Sequence, residues 1–250
     1  MNALGQEYLR ADLPDLAEGW FKRTLKRQAD FEEALEQLIE VYSRLEDNAK
    51  LLRSYADYLK AYPDNLERRK NYAQKLYDQG DFTKACTQLE MILPREPKNT
   101  RFRTMLAHSY RHSAKYPEAI LLYRELMLEN PKELDLVKPL VISMEHSSSR
   151  ETVILLLEKA IKLFKEDAWL QQRLGILYMA EGRLEKAAKI FRSVIGLQPE
   201  HWQAYGCLAE LYGKMGNNQF AERFRKRSRE LKALHEKDGV GASGLPLKEK

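Results

Sequence analysis

One residue pattern returns every 34 positions along almost the whole chain. Steps of 34 from Leu4 land on Leu38, Tyr72, Leu106, Leu140, Leu174 and Leu208. One residue on, Gly5 leads to Ile39, Ala73, Ala107, Val141, Gly175 and Ala209. Tyr8 leads to Tyr42, Leu76, Tyr110, Met144, Tyr178 and Tyr212, and Ala17 to Leu51, Ala85, Ala119, Val153, Ala187 and Ala221. No insertion breaks the register. A period of this length marks stacked repeats, each of which buries its apolar face only against its neighbours. It argues against a single central core and against an enclosed active site.

Residues 168–201 show the unit most clearly. Apolar residues fall at helical spacing over Trp169–Met179 and again over Leu184–Val194, split by Ala180-Glu181-Gly182-Arg183. That reads as helix, short turn, helix. Gly175 and Ala187 are small where two antiparallel helices cross. Tyr178 and Phe191 fill the space between repeats, and Pro199 stands where the chain must stop and reverse.

These residues resemble the tetratricopeptide repeat (TPR) family. The likeness divides the chain into seven repeats: 1–31, 32–65, 66–99, 100–133, 134–167, 168–201 and 202–235. The terminal proline recurs as Pro63, Pro97, Pro131 and Pro199. The resemblance implies an all-α fold, an α-solenoid coiled as a right-handed superhelix of helix-turn-helix repeats. The expected domain is a single solenoid over 1–237, with a truncated first repeat and a charged capping helix over Gln219–Lys237. Residues 238–250, Gly-rich and aperiodic, are expected to be a disordered tail.

The fifth repeat fits least well. Pro139 falls inside its first helix, Ser147-Ser148-Ser149 replaces the tight turn, and Val153 replaces alanine. A proline there removes a backbone donor and favours a kink. Arg225 stands where other repeats carry Phe, Tyr or Leu, which suits a terminal repeat that must not stack further.

Composition narrows the function classes. No apolar run reaches the length of a membrane span, and no cationic, apolar leader opens the chain. Cys86 and Cys207 lie in distant repeats, so no disulfide is expected, and the cytoplasm is the default compartment. The sequence shows no Gly-rich phosphate loop, no nucleophile elbow and no cysteine-pair metal motif. No catalytic residue, cofactor or metal is expected, and the chain reads as a non-enzyme. His108 and His112 share a helix face, and His146 recurs 34 positions after His112. They read as polar groove residues; zinc binding is the weaker alternative.

In the TPR family the first helix of each repeat lines a concave face that holds partner segments. By register, repeats two and three place five acids and two bases there, among them Glu36, Glu40 and Arg44. Repeats four and five place Arg101, His108, Arg111, His112, Lys138 and His146 there. Repeat six turns apolar with Trp169, Ile176 and Met179. These nine residues, Arg101 to Met179, are the predicted partner-binding set, suited to an acidic protein or peptide segment with an apolar anchor. Trp169 reads either as that anchor or as packing on the neighbouring repeat. A clamp for acidic chaperone tails is disfavoured, since Glu36, Glu40 and Met105 occupy places that need Lys, Asn and Arg.

The predicted function is therefore a protein-interaction scaffold or assembly adaptor. Two alternatives remain open. One is a nucleic-acid-binding helical repeat, suggested by a pI near 9.0 and the basic run Arg223–Arg229. Those bases do not recur at groove positions as a code-like reader needs, so no specific nucleic acid is expected. The other is a regulatory TPR portion of a larger enzyme, or of a secretion or assembly complex.

Overall fold

The structure, a computed structural model, describes residues 1–237. The tail expected to be disordered, 238–250, lies outside them. All fourteen elements of the described residues are α-helices, paired into hairpins. The chain falls into two compact units, the first Met1–Glu129 and the second from Asn130 onward. The boundary falls just before the repeat that fits the pattern least.

The first unit holds α1 (Asn2–Arg10), α2 (Pro14–Arg27), α3 (Glu32–Arg44), α4 (Asn48–Ala61), α5 (Leu66–Asp78), α6 (Phe82–Ile92), α7 (Thr100–His112) and α8 (Tyr116–Glu129). The second holds α9 (Leu134–Ser147), α10 (Arg150–Leu163), α11 (Ala168–Ala180), α12 (Leu184–Leu197), α13 (Trp202–Lys214) and α14 (Asn218–Lys237). In each unit the two helices of a hairpin pack on each other, and the second packs on the first helix of the next hairpin.

The periodic residues are the core. Ala17, Leu51, Ala85, Ala119, Val153, Ala187 and Ala221 are all buried, as are Phe21, Leu89, Tyr123, Leu157 and Phe191. Each large side chain of this kind contributes roughly 1.5–3 kcal/mol by leaving water. Gly5 is small for a steric reason: a Cβ there would lie 2.7 Å from Cε1 of Phe21. Arg225, in the slot of Phe21 and Phe191, is exposed. It pairs with Glu222 one turn away, Nη1 to Oε2, 2.5 Å.

The turn inside each hairpin also keeps the 34-residue period. Asp12, Glu46, Gly80, Ala114, Gly182 and Gly216 all have φ between 53° and 77°. The amide after each of these residues donates to a carbonyl five residues back, as Asp47 does to Tyr42 at 3.1 Å and Lys115 to Tyr110 at 2.8 Å. This is a left-handed C-terminal cap that satisfies carbonyls the helix leaves free. The seventh equivalent is Ser148, which is extended, φ −122° and ψ 162°. The Ser147–Ser149 run thus builds a different turn, in which Ser149 caps α10 by accepting from Thr152 N–H. Helix α9 runs through Pro139, whose carbonyl accepts from Ser143 Oγ at 2.7 Å.

A polar bond crosses four of the junctions between hairpins. Tyr110 on α7 donates to Glu90 on α6 at 2.9 Å, and Tyr178 on α11 donates to Glu158 on α10. Arg192 on α12 donates to the Tyr212 hydroxyl on α13. Tyr42 on α3 donates to Glu18 on α2 at 2.9 Å. Burial and the Glu158 carboxylate push the Tyr178 phenol up to about 12. At the register position of these tyrosines α5 carries Leu76, and the residue twenty positions before it is Ala56.

Candidate functional site

Arg101, His108, Arg111 and His112 lie on α7 in the first unit. Arg101 is exposed and donates through Nη2 to Gln74 Oε1 on α5, 2.5 Å away. His108 Nδ1 is 2.9 Å from the Tyr77 hydroxyl. The His112 ring stacks on Phe82, centroids 4.2 Å apart and planes 16° apart. Partial burial, with the neighbouring Arg111 charge second, holds the His112 imidazole below its ordinary value, so it is neutral near pH 7. The Arg111 guanidinium lies 2.5 Å from His112 Nε2. Tyr77, Phe82 and these two histidines make an aromatic wall that the sequence reading had only in part, since Phe82 belongs to a second helix of a hairpin.

Earlier in the same unit, α1, α3 and α5 enclose a cleft of about 430 Å³. Leu9 and Ile39 contribute apolar surface, and Gln6, Glu36, Glu40, Arg44 and Arg68 line the rest. The acidic excess expected here is largely neutralised. Arg68 pairs with Glu36 at 2.6 Å and Arg44 with Glu40 at 2.7 Å. Arg44 also donates to the Leu9 carbonyl at the end of α1, 3.1 Å.

In the second unit Lys138, His146, Trp169, Ile176 and Met179 lie on α9 and α11. His146 is exposed, and Ile176 and Met179 are half-buried. Trp169 is half-buried between two cations: Lys138 Nζ is 5.9 Å from its ring centroid and Arg173 Cζ 5.2 Å. Each cation is anchored by an acid. Lys138 pairs with Asp167 at 2.8 Å, and Asp167 also caps α11 by accepting from Leu170 N–H. Arg173 pairs with Glu145 at 3.7 Å. Burial raises the Glu145 carboxyl above its usual range, against the pull of Arg173 and His146. Trp169 is therefore both packed and presented, held by cation–π contacts that fix its ring. Arg173 and Glu145 were absent from the predicted set. The spacing of Arg173, four residues after Trp169 on one helix, was the available signal.

Helix α11 carries apolar side chains on two sides. Leu170, Leu174, Gly175 and Tyr178 are buried in the stack, whereas Trp169, Ile176, Leu177 and Met179 keep partial exposure. Among the described residues no cluster of three or more His, Cys, Asp or Glu could hold a metal ion. No described helix is long and apolar enough to cross a membrane.

A family model described as tetratricopeptide repeat matches residues 104–136, within a chain of periodic helical hairpins. The chain is a TPR protein. Among solved structures it is similar to one titled "Crystal structure of MamA", TM-score 0.61 and 21% identity, covering 66% of this chain and 96% of that one. It is also similar to MamA 41-end from Desulfovibrio magneticus RS-1, TM-score 0.60 and 16% identity, covering 69% and 98%. At these identities the likeness is one of fold: TPR hairpins in an all-α solenoid. The aspartyl/asparaginyl beta-hydroxylases of Mus musculus and Homo sapiens are each 23% identical over 190 residues. The TPR chain spans about a quarter of the length of these curated relatives.

Proposed function

We propose that this TPR protein is an interaction scaffold that holds a segment of a partner protein on the first-helix faces of its hairpins. The apolar second side of α11 carries this reading. A helix with apolar side chains on two sides ordinarily buries both. Here Trp169, Ile176 and Met179 are only partly covered. Trp169 is preorganised by Lys138 and Arg173, so little side-chain entropy is lost when a partner covers it. An apolar anchor on the partner would rest on this ridge. Acids on the partner would meet Arg101 and Arg111 of the first unit or Arg173 of the second.

The test is partner affinity. Proteins that co-purify with the chain are identified by mass spectrometry, and the affinity of the leading one is measured by calorimetry. Trp169→Ala should weaken binding by about 2 kcal/mol, mostly through faster dissociation. Arg111→Glu should slow association. Leu155→Ala, at an exposed site on α10, should change neither. Wild-type affinity in a folded Trp169→Ala, Met179→Glu double variant would sink the reading.

The hydroxylase likeness supports a second reading, a TPR portion that serves a larger catalytic or assembly protein. An intact-mass measurement on the native protein, larger than the 29.2 kDa of this chain, would favour it.

A further inference from the structure

Arg69 on α5 is buried, only 6% exposed. Its guanidinium donates to Gln88 Oε1 at 2.7 Å, to the Met91 sulfur at 3.1 Å and to the Pro63 carbonyl. All three acceptors are neutral, and none of the ion pairs among the described residues includes Arg69. Burial, with the Arg95 charge second, pushes the guanidinium below its ordinary value. A buried charge that lacks a counter-charge is costly.

The next hairpin shows what is missing. Arg103 is the register equivalent of Arg69. It pairs with Glu125 at 3.2 Å and with Glu129 at 2.6 Å. The equivalents of those two glutamates are Met91 and Arg95. One acid is thus replaced by a thioether and the other by a second cation, which is itself paired with Asp64 at 2.6 Å. A thioether sulfur is a weak acceptor. A sulfoxide is polar and presents an oxygen.

Met91 is also within reach of an oxidant. It is 50% exposed near the end of α6. Met105 and Met144 are buried, and Met127, Met179 and Met215 are half-buried. Of the two exposed methionines, Met1 and Met91, it is Met91 that holds a guanidinium on its sulfur.

We propose that Met91 is an oxidation site whose sulfoxide oxygen supplies the acceptor that Arg69 lacks. The oxidant is hydrogen peroxide. The Met91 sulfur attacks one peroxide oxygen, the O–O bond breaks and an S–O bond forms. The sulfur gives up two electrons, and the proton of the attacked oxygen passes to the departing one, which leaves as water. The Arg69 N–H then makes a charge-assisted bond to the new oxygen. Methionine oxidation ordinarily disrupts the packing around it; at this position it ties α6 to α5. The proposal does not depend on the reading of the Trp169 face.

The full chain is treated with dilute hydrogen peroxide and digested, and its methionines are followed by mass spectrometry. Met91 should oxidise at least about threefold faster than Met127, Met179 and Met215. Thermal midpoints are then compared with those of a Met91→Leu variant treated in the same way, which cancels oxidation elsewhere. Oxidation should raise the wild-type midpoint by about 2–4 °C relative to that variant. The gain should vanish in Arg69→Leu; leucine is the residue that repeat two buries at this position, as Leu35. Met91→Glu, which restores the acid that faces Arg103, should raise the midpoint without peroxide. An oxidised Met91 that brings no gain overturns the proposal, as does a gain that survives Arg69→Leu. Oxidation of Met91 no faster than that of the half-buried methionines, or a lower midpoint in Met91→Glu, overturns it equally.

Discussion

Phe191 lies so close over Gly175 that a Cβ on the glycine would sit 2.9 Å from the ring's Cζ. Phe191 is fully buried and cannot swing away. Gly175→Ala should therefore destabilise the second unit by about 1–2 kcal/mol, through displaced packing and not through helix propensity, which favours alanine. Phe191→Leu in the same chain should recover part of that loss. Repeat three carries that combination, Ala73 and Leu89, both fully buried. A double-mutant cycle on urea unfolding checks the coupling. Strictly additive effects would disprove it.

Ala114 is held at φ 58°, where a Cβ costs roughly 1–2 kcal/mol. Ala114→Gly should raise stability by about 0.5–1 kcal/mol, the strain relieved less the extra unfolded-state entropy. Gly182→Ala, at φ 70°, should lower it by about 1 kcal/mol. Denaturation midpoints at an unchanged slope test both.

Within the second unit, hydrogen exchange should be faster over residues 134–150 than over 168–190. Helix α9 lacks the Pro139 donor, and its turn at Ser148 lacks the left-handed cap found in six other hairpins. The hairpin of α11 and α12 has both, with Gly182 N–H bonded to Met179 and Arg183 N–H to Tyr178. Equal protection of the two segments would show that neighbours, and not the local turn, set opening in this unit.

His201 caps α13 by accepting from Ala204 N–H at its Nδ1, 3.2 Å. Burial lowers its imidazole below the ordinary value of 6.5. The unfolded chain then binds the proton more readily than the folded one. The cap contributes fully above about pH 6.5 and is lost as pH falls from there through the lower native value. Thermal midpoints between pH 8 and pH 5 should drop for wild type and drop less for His201→Asn, which caps without titrating. Parallel curves for the two proteins would rule His201 out.

The fold was legible because its core repeats: residues such as Ala17 and Phe21 and their equivalents announce their burial by recurrence. The site was legible only in outline. Lys138 and Arg173 both look like free groove charges in sequence, yet each is paired with an acid and turned on Trp169. Such pairing joins residues about 30 positions apart on neighbouring hairpins, and single-residue register cannot show it. Arg69, Arg103 and Gln171 mislead in the opposite direction. They look like surface residues but are at most 9% exposed, at the position that Leu35 and Val137 hold elsewhere. Arg103 is matched there by Glu129 at 2.6 Å and Glu125 at 3.2 Å.

The tyrosine bonds between hairpins have a consequence for recombination. Every hairpin has nearly the same length, so a loss of residues 66–99 would keep the chain in phase. It would also bring α7 against α4 and set Tyr110 opposite Ala56 in place of Glu90. The half-buried Tyr110 phenol would then lose its carboxylate acceptor, a cost of about 0.5–1.5 kcal/mol. The repeats share a length but not every partner: a tyrosine that needs a glutamate is matched by some neighbours and not by Ala56, which narrows the ways the hairpins can be joined.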